Sequence, residues 1–454
     1  MASSASSRLA SSMNFGVIGK AQELQKRLWF VVIALSVYRL GTYIPIPGVN
    51  AKILAELFAQ QQQGVLGIFN MFSGGALSRM TIFALAIMPY ITVSIIIQLL
   101  TVMSPYLTAL KKEGEAGRRK INQFTRIGTV FMSGFQAFGI SVFLESMHGP
   151  GGSVVVDPGL FFKITTIVTL VGGTMFLMWL GEQITQRGIG NGISLIIFAG
   201  IAAGLPSALA RTFELGRTGA LDTGVIIVVM ALAVAVVAFI VFMERAQRRI
   251  LVQYPKRQIG NKQYGGQSQH MPLKINTAGV IPPIFASSLL LFPATIAGFG
   301  EAKGTGGFLD TINLYLGHGK PLYMVLYVLL IVFFCFFYTR HVFNPNETAE
   351  NLKQNGGFVP GIRPGSHTSE YLLHILMRLT AIGAAYISLV CVLPEFLISH
   401  YAVPFYLGGT SLMIVVNVTM DTVGQIQSHL LAHQYEGLIR KANLRSPRPA
   451  GGKR

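Results

Sequence analysis

Charge is what this sequence has least of. Only 12% of its 454 residues are charged, about half the share found in an average soluble domain. Acidic residues are scarcer still, 18 Asp+Glu against 36 Lys+Arg. Cysteine is nearly absent: Cys335 and Cys391 both sit inside apolar runs with no CxxC spacing. That excludes a disulfide framework or a thiolate metal site, and the two read as small core hydrophobes. Nucleotide motifs are missing as well. The glycines at 188, 190 and 192 lack the GxGxxG spacing and its strand context, and no GxxxxGKS/T occurs. With no paired catalytic carboxylates and no metal cluster, the sequence does not read as an enzyme and calls for no cofactor.

What it has instead is apolar length. Hydrophobic residues make up 51% of the chain, and mean hydropathy is +0.54. Runs such as 159–181, 221–243 and 321–338 approach the roughly 20 residues that a helix needs to cross the hydrocarbon core. Ten such segments are predicted, near 28–44, 82–104, 124–145, 159–181, 189–210, 221–243, 276–298, 321–340, 376–396 and 403–424. The fold class is therefore all-α and polytopic, with ten transmembrane helices and both termini on one side. Basic residues choose the side. They gather at the N-terminus (Lys26, Arg27), in the second-to-third connection (Lys111, Lys112, Arg118, Arg119, Lys120), in the sixth-to-seventh (Arg245, Arg248, Arg249, Lys256, Arg257) and in the tail after Tyr435. By the positive-inside rule that side is cytoplasmic.

The spans divide into 28–210 and 221–424, flanked by tails 1–27 and 425–454. Residues 1–20, rich in Ser and Ala, read as a cytoplasmic tail, with an organellar transit peptide as the alternative. Connections 244–275 and 341–375 are too long for turns. Both are basic and punctuated by Gly and Pro; each reads as solvated linker or as a docking platform. In the first, residues 250–254 followed by Pro255, Gly260, Gly265 and Gly266 suggest an extended hairpin.

The first external connection is unusual. After YIPIP at 43–47 comes FNMFSGGALSR at 69–79, apolar enough to enter a membrane but too short to cross it. Gly74 and Gly75 weaken it as a helix, by roughly 1 kcal/mol each. It reads either as a short re-entrant helix enclosed by protein or as an amphipathic segment resting on the outer surface.

The same run, with IMPYITVSIIIQLLT at 87–101, resembles the SecY family of protein-translocation channels. So do KKEGE at 111–115, GGTMFLMWLGEQ at 172–183, RGIGNGIS at 187–194, AGVIP at 278–282, FASS at 285–288, FNP at 343–345, FVPGIRPG at 358–365 and PFYLGGTS at 404–411. The likeness runs from about residue 20 to 443. It implies two pseudo-symmetric five-helix halves related as an inverted repeat around a central pore. It also implies a protein-conducting channel for unfolded secretory polypeptides, with sideways release of membrane segments into lipid.

By this resemblance, Ile87, Ile91, Ile193, Ile197, Ile284 and Ile414 form a pore ring, which as an aliphatic constriction would block ions by dewetting. Phe69, Met71, Phe72, Ser73, Gly74, Gly75, Ala76, Leu77, Ser78 and Arg79 correspond to a plug helix. Thr92, Gln98, Gln136 and Asn276 fall along a lateral gate held by interhelical hydrogen bonds of roughly 0.6–2 kcal/mol each. Lys256, Arg257 and Arg363 match the loop tips on which the SecA ATPase or a translating ribosome docks, since basic tips suit phosphate-rich RNA. Implied partners are SecE-like and SecG-like small subunits, signal peptides and preproteins, the lipid bilayer, and YidC and SecDF as further candidates. The implied location is the bacterial plasma (inner) membrane, an organellar membrane being the alternative.

Some positions depart from the family pattern. Pro283 beside Pro282 is expected to kink the seventh span, and Asn417 and Thr419 stand in the tenth where aliphatic residues are usual; Asn417 is expected to face a partner helix. A secondary transporter is the rival class, but such proteins carry ionisable groups at mid-membrane. Here Arg39 and Asp421 lie near span ends.

Overall fold

The computed structural model describes residues 22–445, apart from 52, 55–56, 58–69, 71–72, 150–151, 219–222, 256, 260–261, 265–267, 291–319 and 402–408. Twelve helices of eight residues or more are described in this range. In chain order they are α1 (Gln22–Gly41), α2 (Met88–Met103), α3 (Pro105–Lys112), α4 (Glu115–Ser146), α5 (Leu160–Arg187) and α6 (Gly192–Arg217). Then follow α7 (Thr223–Arg245), α8 (Ile281–Leu290), α9 (Pro321–Val342), α10 (Pro345–Gln354), α11 (Ser366–Tyr401) and α12 (Gly409–Arg445).

Each of the ten predicted spans coincides, in whole or part, with one of these helices. Among the described residues, α4, α5, α6, α7, α9 and α11 are long and apolar enough to cross a membrane, and α2 joined to α3 across a 97° bend would be a seventh. Several boundaries differ from the sequence reading. The second span was expected from residue 82, but 82–87 is a run of turns and α2 begins at Met88. Pro89 sits in its first turn, where a missing N–H costs nothing, and its ring would clash with a helical carbonyl one turn earlier. The seventh was expected from 276, yet α8 starts at Ile281, with Pro282 and Pro283 in its first turn. Those prolines start a helix rather than kink one. The tail expected after 424 continues as helix to Arg445.

Several hydroxyl-bearing residues inside these helices turn back on their own backbone. Thr101, Thr125, Thr129 and Thr380 donate to the carbonyl four residues earlier at 2.7–3.0 Å, which satisfies the hydroxyl where water is absent. Antiparallel α4 and α5 are clipped by ion pairs at both ends. Arg126 holds Glu182 through two guanidinium nitrogens (3.1 and 2.5 Å), and Lys163 pairs with Glu145 at 3.0 Å. One large apolar cluster runs through the bundle, drawing on α1, α2, α4 to α9, α11 and α12.

Glycine sets one close approach. A Cβ on Gly173 of α5 would stand 2.0 Å from the Ile82 carbonyl oxygen, whereas one on adjacent Gly172 would meet nothing within 4 Å. Gly173→Ala should lower the thermal midpoint of the purified complex, overpacking of this kind costing about 1–3 kcal/mol. Gly172→Ala on the same helix should leave it unchanged. Equal midpoints for the two would remove the contact between α5 and the lead-in to α2.

Candidate functional site

The external connection is stitched from extended pieces. Ile46 N–H donates to the Met80 carbonyl at 2.9 Å and Ile82 N–H to that of Ile44 at 3.0 Å. On the other edge, Asn50 and Val154 bond at 2.9 Å, and Val156 and Gly48 at 3.1 Å. The segment predicted as a re-entrant helix hangs from this frame. Phe69, Met71 and Phe72 lie outside the described residues, but 73–80 form consecutive turns, not a helix. The cause is local: Gly74 (φ 65°) and Gly75 (φ 84°) both take left-handed angles that a right-handed helix cannot contain. Met80 (φ 45°) and Ala86 (φ 48°) share that region without being glycine, so the lead-in to α2 is backbone under strain.

Asn70 organises these turns. Its carbonyl accepts from Gly75 N–H (2.8 Å) and the Ser73 hydroxyl (3.0 Å), and its Oδ1 accepts from Ser78 N–H at 2.8 Å. The segment is also tied to α1. Tyr38 donates its hydroxyl to the Ser73 carbonyl (3.4 Å), and Arg39 donates Nη1 to the Gly74 carbonyl (3.3 Å). Both guanidiniums flank the Tyr43 ring, Arg79 at 4.3 Å and Arg39 at 5.7 Å from its centre, within cation–π range. A hydrogen bond from Arg79, with its charge, lowers the Tyr43 hydroxyl below the usual tyrosine pKa. Across the segment, a Cβ on Gly74 would lie 2.9 Å from Gly200 Cα of α6. Sequence reasoning missed Asn70, Tyr38 and Arg39; the Asn-x-x-x-Gly-Gly pattern was the available signal for a turn.

The six isoleucines all belong to, or pack against, the large apolar cluster. Ile87, Ile91, Ile197, Ile284 and Ile414 belong to the large apolar cluster, Ile193 packs against it, and Ala76 and Leu77 of the turn segment lie in the same cluster. Ile414 is 1% exposed.

The four polar positions do not behave alike. Thr92 donates to its own helix at Met88 (3.1 Å). Gln98 of α2 and Gln136 of α4 each bury a side-chain oxygen with no partner among the described residues. Asn276 is engaged elsewhere: it donates to the Glu244 carboxylate of α7 at 2.5 Å and accepts from Gly279 N–H at 2.9 Å. Its amide is thus committed to α7. Asn417 does face a partner helix, donating to the same Glu244 oxygen at 3.1 Å.

On the basic face, the predicted hairpin is present and longer than expected. After the short pair β1 (His148–Gly149) and β2 (Gly152–Ser153) between α4 and α5, β3 (Gln247–Gln253) pairs antiparallel with β6 (Ser268–Lys274), and β4 (Arg257–Ile259) with β5 (Lys262–Tyr264). Lys256 lies outside the described residues; Arg257 opens β4. The other loop joins this hairpin directly, for Gln253 and Phe358 exchange backbone hydrogen bonds at 2.9 Å. Ile250, Leu273, Val359, Leu372, Ile375 and Leu379 close a small core beneath both. Arg363 is exposed above it, its carbonyl accepting the Thr368 hydroxyl at 2.9 Å. Among the described residues no three His, Cys, Asp or Glu side chains gather as a metal site.

A sequence model of the SecY family matches residues 81–423. The chain belongs to the SecY family. It is 57% identical over 424 residues to the protein translocase subunit SecY of Rickettsia conorii, covering 93% of this chain and 98% of that one. To SecY of Escherichia coli K12 it is 58% identical over 428 residues, covering 94% and 96%. Two solved structures share the fold. One is a SecY protein whose plug domain stabilises the closed state of the translocation channel (TM-score 0.66, 18% identity, 89% of this chain and 92% of that one). The other is Sec61 in a canine ribosome–channel complex from the endoplasmic reticulum (TM-score 0.62, 16% identity, 89% and 92%). The ten-span layout is that of the SecY fold.

Proposed function

We propose that this chain is the protein-conducting channel of a Sec translocase, passing unfolded secretory polypeptides across the membrane and releasing membrane segments sideways into lipid. The observation that carries the reading is SecY membership at 57–58% identity over 93–94% of the chain. In this reading Ile87, Ile91, Ile193, Ile197, Ile284 and Ile414 form the constriction, and residues 69–79 close it from outside. A ring without polar groups makes no specific hydrogen bonds, so it tolerates any passing side chain while refusing hydrated ions. Thr92, Gln98, Gln136 and Asn276 line the gate between α2, α4, α8 and α9. The unpaired oxygens of Gln98 and Gln136 support this, because a buried acceptor without a donor weakens the closed packing and would be satisfied by an entering backbone.

The halves are 28–210 and 221–424, with cytoplasmic termini and the plasma membrane of a bacterium as the setting. SecE-like and SecG-like subunits complete the complex. The ribosome, SecA, or both dock on the platform formed by 244–275 and 341–375, and the energy for movement comes from the partner or the membrane potential. Purification in mild detergent tests the assembly: small SecE- and SecG-like subunits should co-elute. Reconstituted with them, the chain should transport a preprotein into vesicles when SecA and ATP are added; vesicles that transport nothing would overturn the reading.

Arg363 is the docking residue with the sharpest expectation. Pro360 and Pro364, with Gly361 (φ 83°) and Gly365 (φ 108°), shape a tight loop that presents the guanidinium to solvent. Arg pairs bidentately with phosphate or carboxylate, which Lys cannot reproduce. Arg363→Glu should cut partner-driven transport far more than Arg363→Lys, with equal amounts of assembled complex for both. Wild-type transport by the Glu variant would refute docking; parallel loss of complex would make Arg363 a structural residue.

A further inference from the structure

The docking hairpin is fastened to the bundle at one polar point. Glu244 is the second-last residue of α7, three positions before β3 begins; Asn276 lies two positions beyond the end of β6. Their hydrogen bond at 2.5 Å therefore closes the base of the hairpin. The same carboxylate oxygen accepts from Asn417 of α12 at 3.1 Å. Both asparagines are buried, at 5% and 6% exposure, and Asn276 is further fixed by its bonds to Gly279 at the lead-in to α8. One carboxylate thus joins α7, the start of α8 and α12.

What lies on α12 gives the joint its use. Asn417 is three residues after Ile414, so the two share a helix face. Asn276 is eight residues before Ile284, on the other side of the α8 lead-in. A displacement at the hairpin base therefore meets, through this one joint, the helices that carry both isoleucines. The hairpin itself is stiffened by seven paired positions and by its bonds to Phe358.

We propose that Glu244 is a positioning residue that registers the docking hairpin to α12 and α8, so that force from a docked partner is delivered to the helices bearing Ile284 and Ile414. This rests on the channel reading above. A carboxylate suits the task because it accepts from several donors at once. A buried polar joint also holds one register, where apolar packing would permit sliding.

The test separates coupling from packing. Removing one member alone leaves the other unsatisfied and is destabilising, whereas replacing both by apolar residues of similar volume is close to neutral. The double variant Glu244→Leu/Asn417→Leu, with Asn276 keeping its Gly279 bonds, should therefore assemble in wild-type amounts. It should bind purified ribosomes and SecA with unchanged affinity, and transport a preprotein into vesicles at least about tenfold more slowly under SecA and ATP. Wild-type transport by the double variant would overturn the proposal. A loss of complex in step with transport would also overturn it, since the joint would then serve stability only. Wild-type vesicles in the same assay must transport; their failure would count against the channel reading rather than the joint.

Discussion

Replacing Ile414 with Asn should raise export of a preprotein with a defective signal peptide about tenfold. Ile414 is 1% exposed and belongs to the large apolar cluster, so an amide there has no partner in the closed state and costs roughly 1–3 kcal/mol. Once the pore is occupied and wetted, water or the substrate backbone satisfies the same amide. The cost therefore falls on the closed state alone, and a 1.4 kcal/mol shift changes the open:closed ratio tenfold. A defective signal peptide fails because it supplies too little energy to open the gate, so a weaker closed state rescues it. Export should be measured at equal expression of both channels. No change would remove Ile414 from the constriction.

The sequence was most readable where a single local rule decides. Long apolar runs announced the spans, because hydrophobic length needs no tertiary information. The β3–β6 hairpin was legible for the same reason, being bounded by Pro255 and the glycines. Boundaries failed where proline or glycine overruled hydropathy. Residues 82–87 are as apolar as the helix they precede, yet Pro89 caps the helix at Met88, and Pro282-Pro283 begin α8 where a kink was expected. The external segment looked helical by composition, but two consecutive glycines at positive φ turned it into a chain of turns.

The long-range polar partners were invisible for a different reason. Arg39 was read as a charge near a span end, and only the fold brings Gly74 to it across 35 residues. Glu244 drew no attention beside the many basic residues of its loop, although it gathers Asn276 and Asn417 from 32 and 173 positions away. Asn276 was singled out by family position alone, and nothing in the sequence announced its bond to Glu244 of α7. Such pairings depend on which helices become neighbours, and periodicity does not encode that choice.

Deleting residues 71–78 should leave a folded complex with ion conductance raised well above the wild-type background in planar bilayers. The bundle does not need the segment for its integrity. Its described residues contribute turns rather than a helix, and the frame of Ile44, Ile46, Met80 and Ile82 lies outside the deletion. On the proposed plug role, what the deletion removes is the cover itself, Ala76 and Leu77 in the apolar cluster and the backbone carbonyls that Tyr38 and Arg39 hold. Those two bonds give the cover an intermediate strength. Each is worth about 0.5–1.5 kcal/mol, enough to hold it at rest and little enough for an entering polypeptide to overcome. Arg39→Leu should accordingly conduct at a level between wild type and the deletion, because it loses the Gly74 bond and one face of the Tyr43 contact while Tyr38 and Arg79 remain. Thermal midpoints of the complexes, measured alongside, should stay within a few degrees of wild type. A deletion that leaves conductance at the wild-type level would mean that the segment rests on the outer surface and closes nothing.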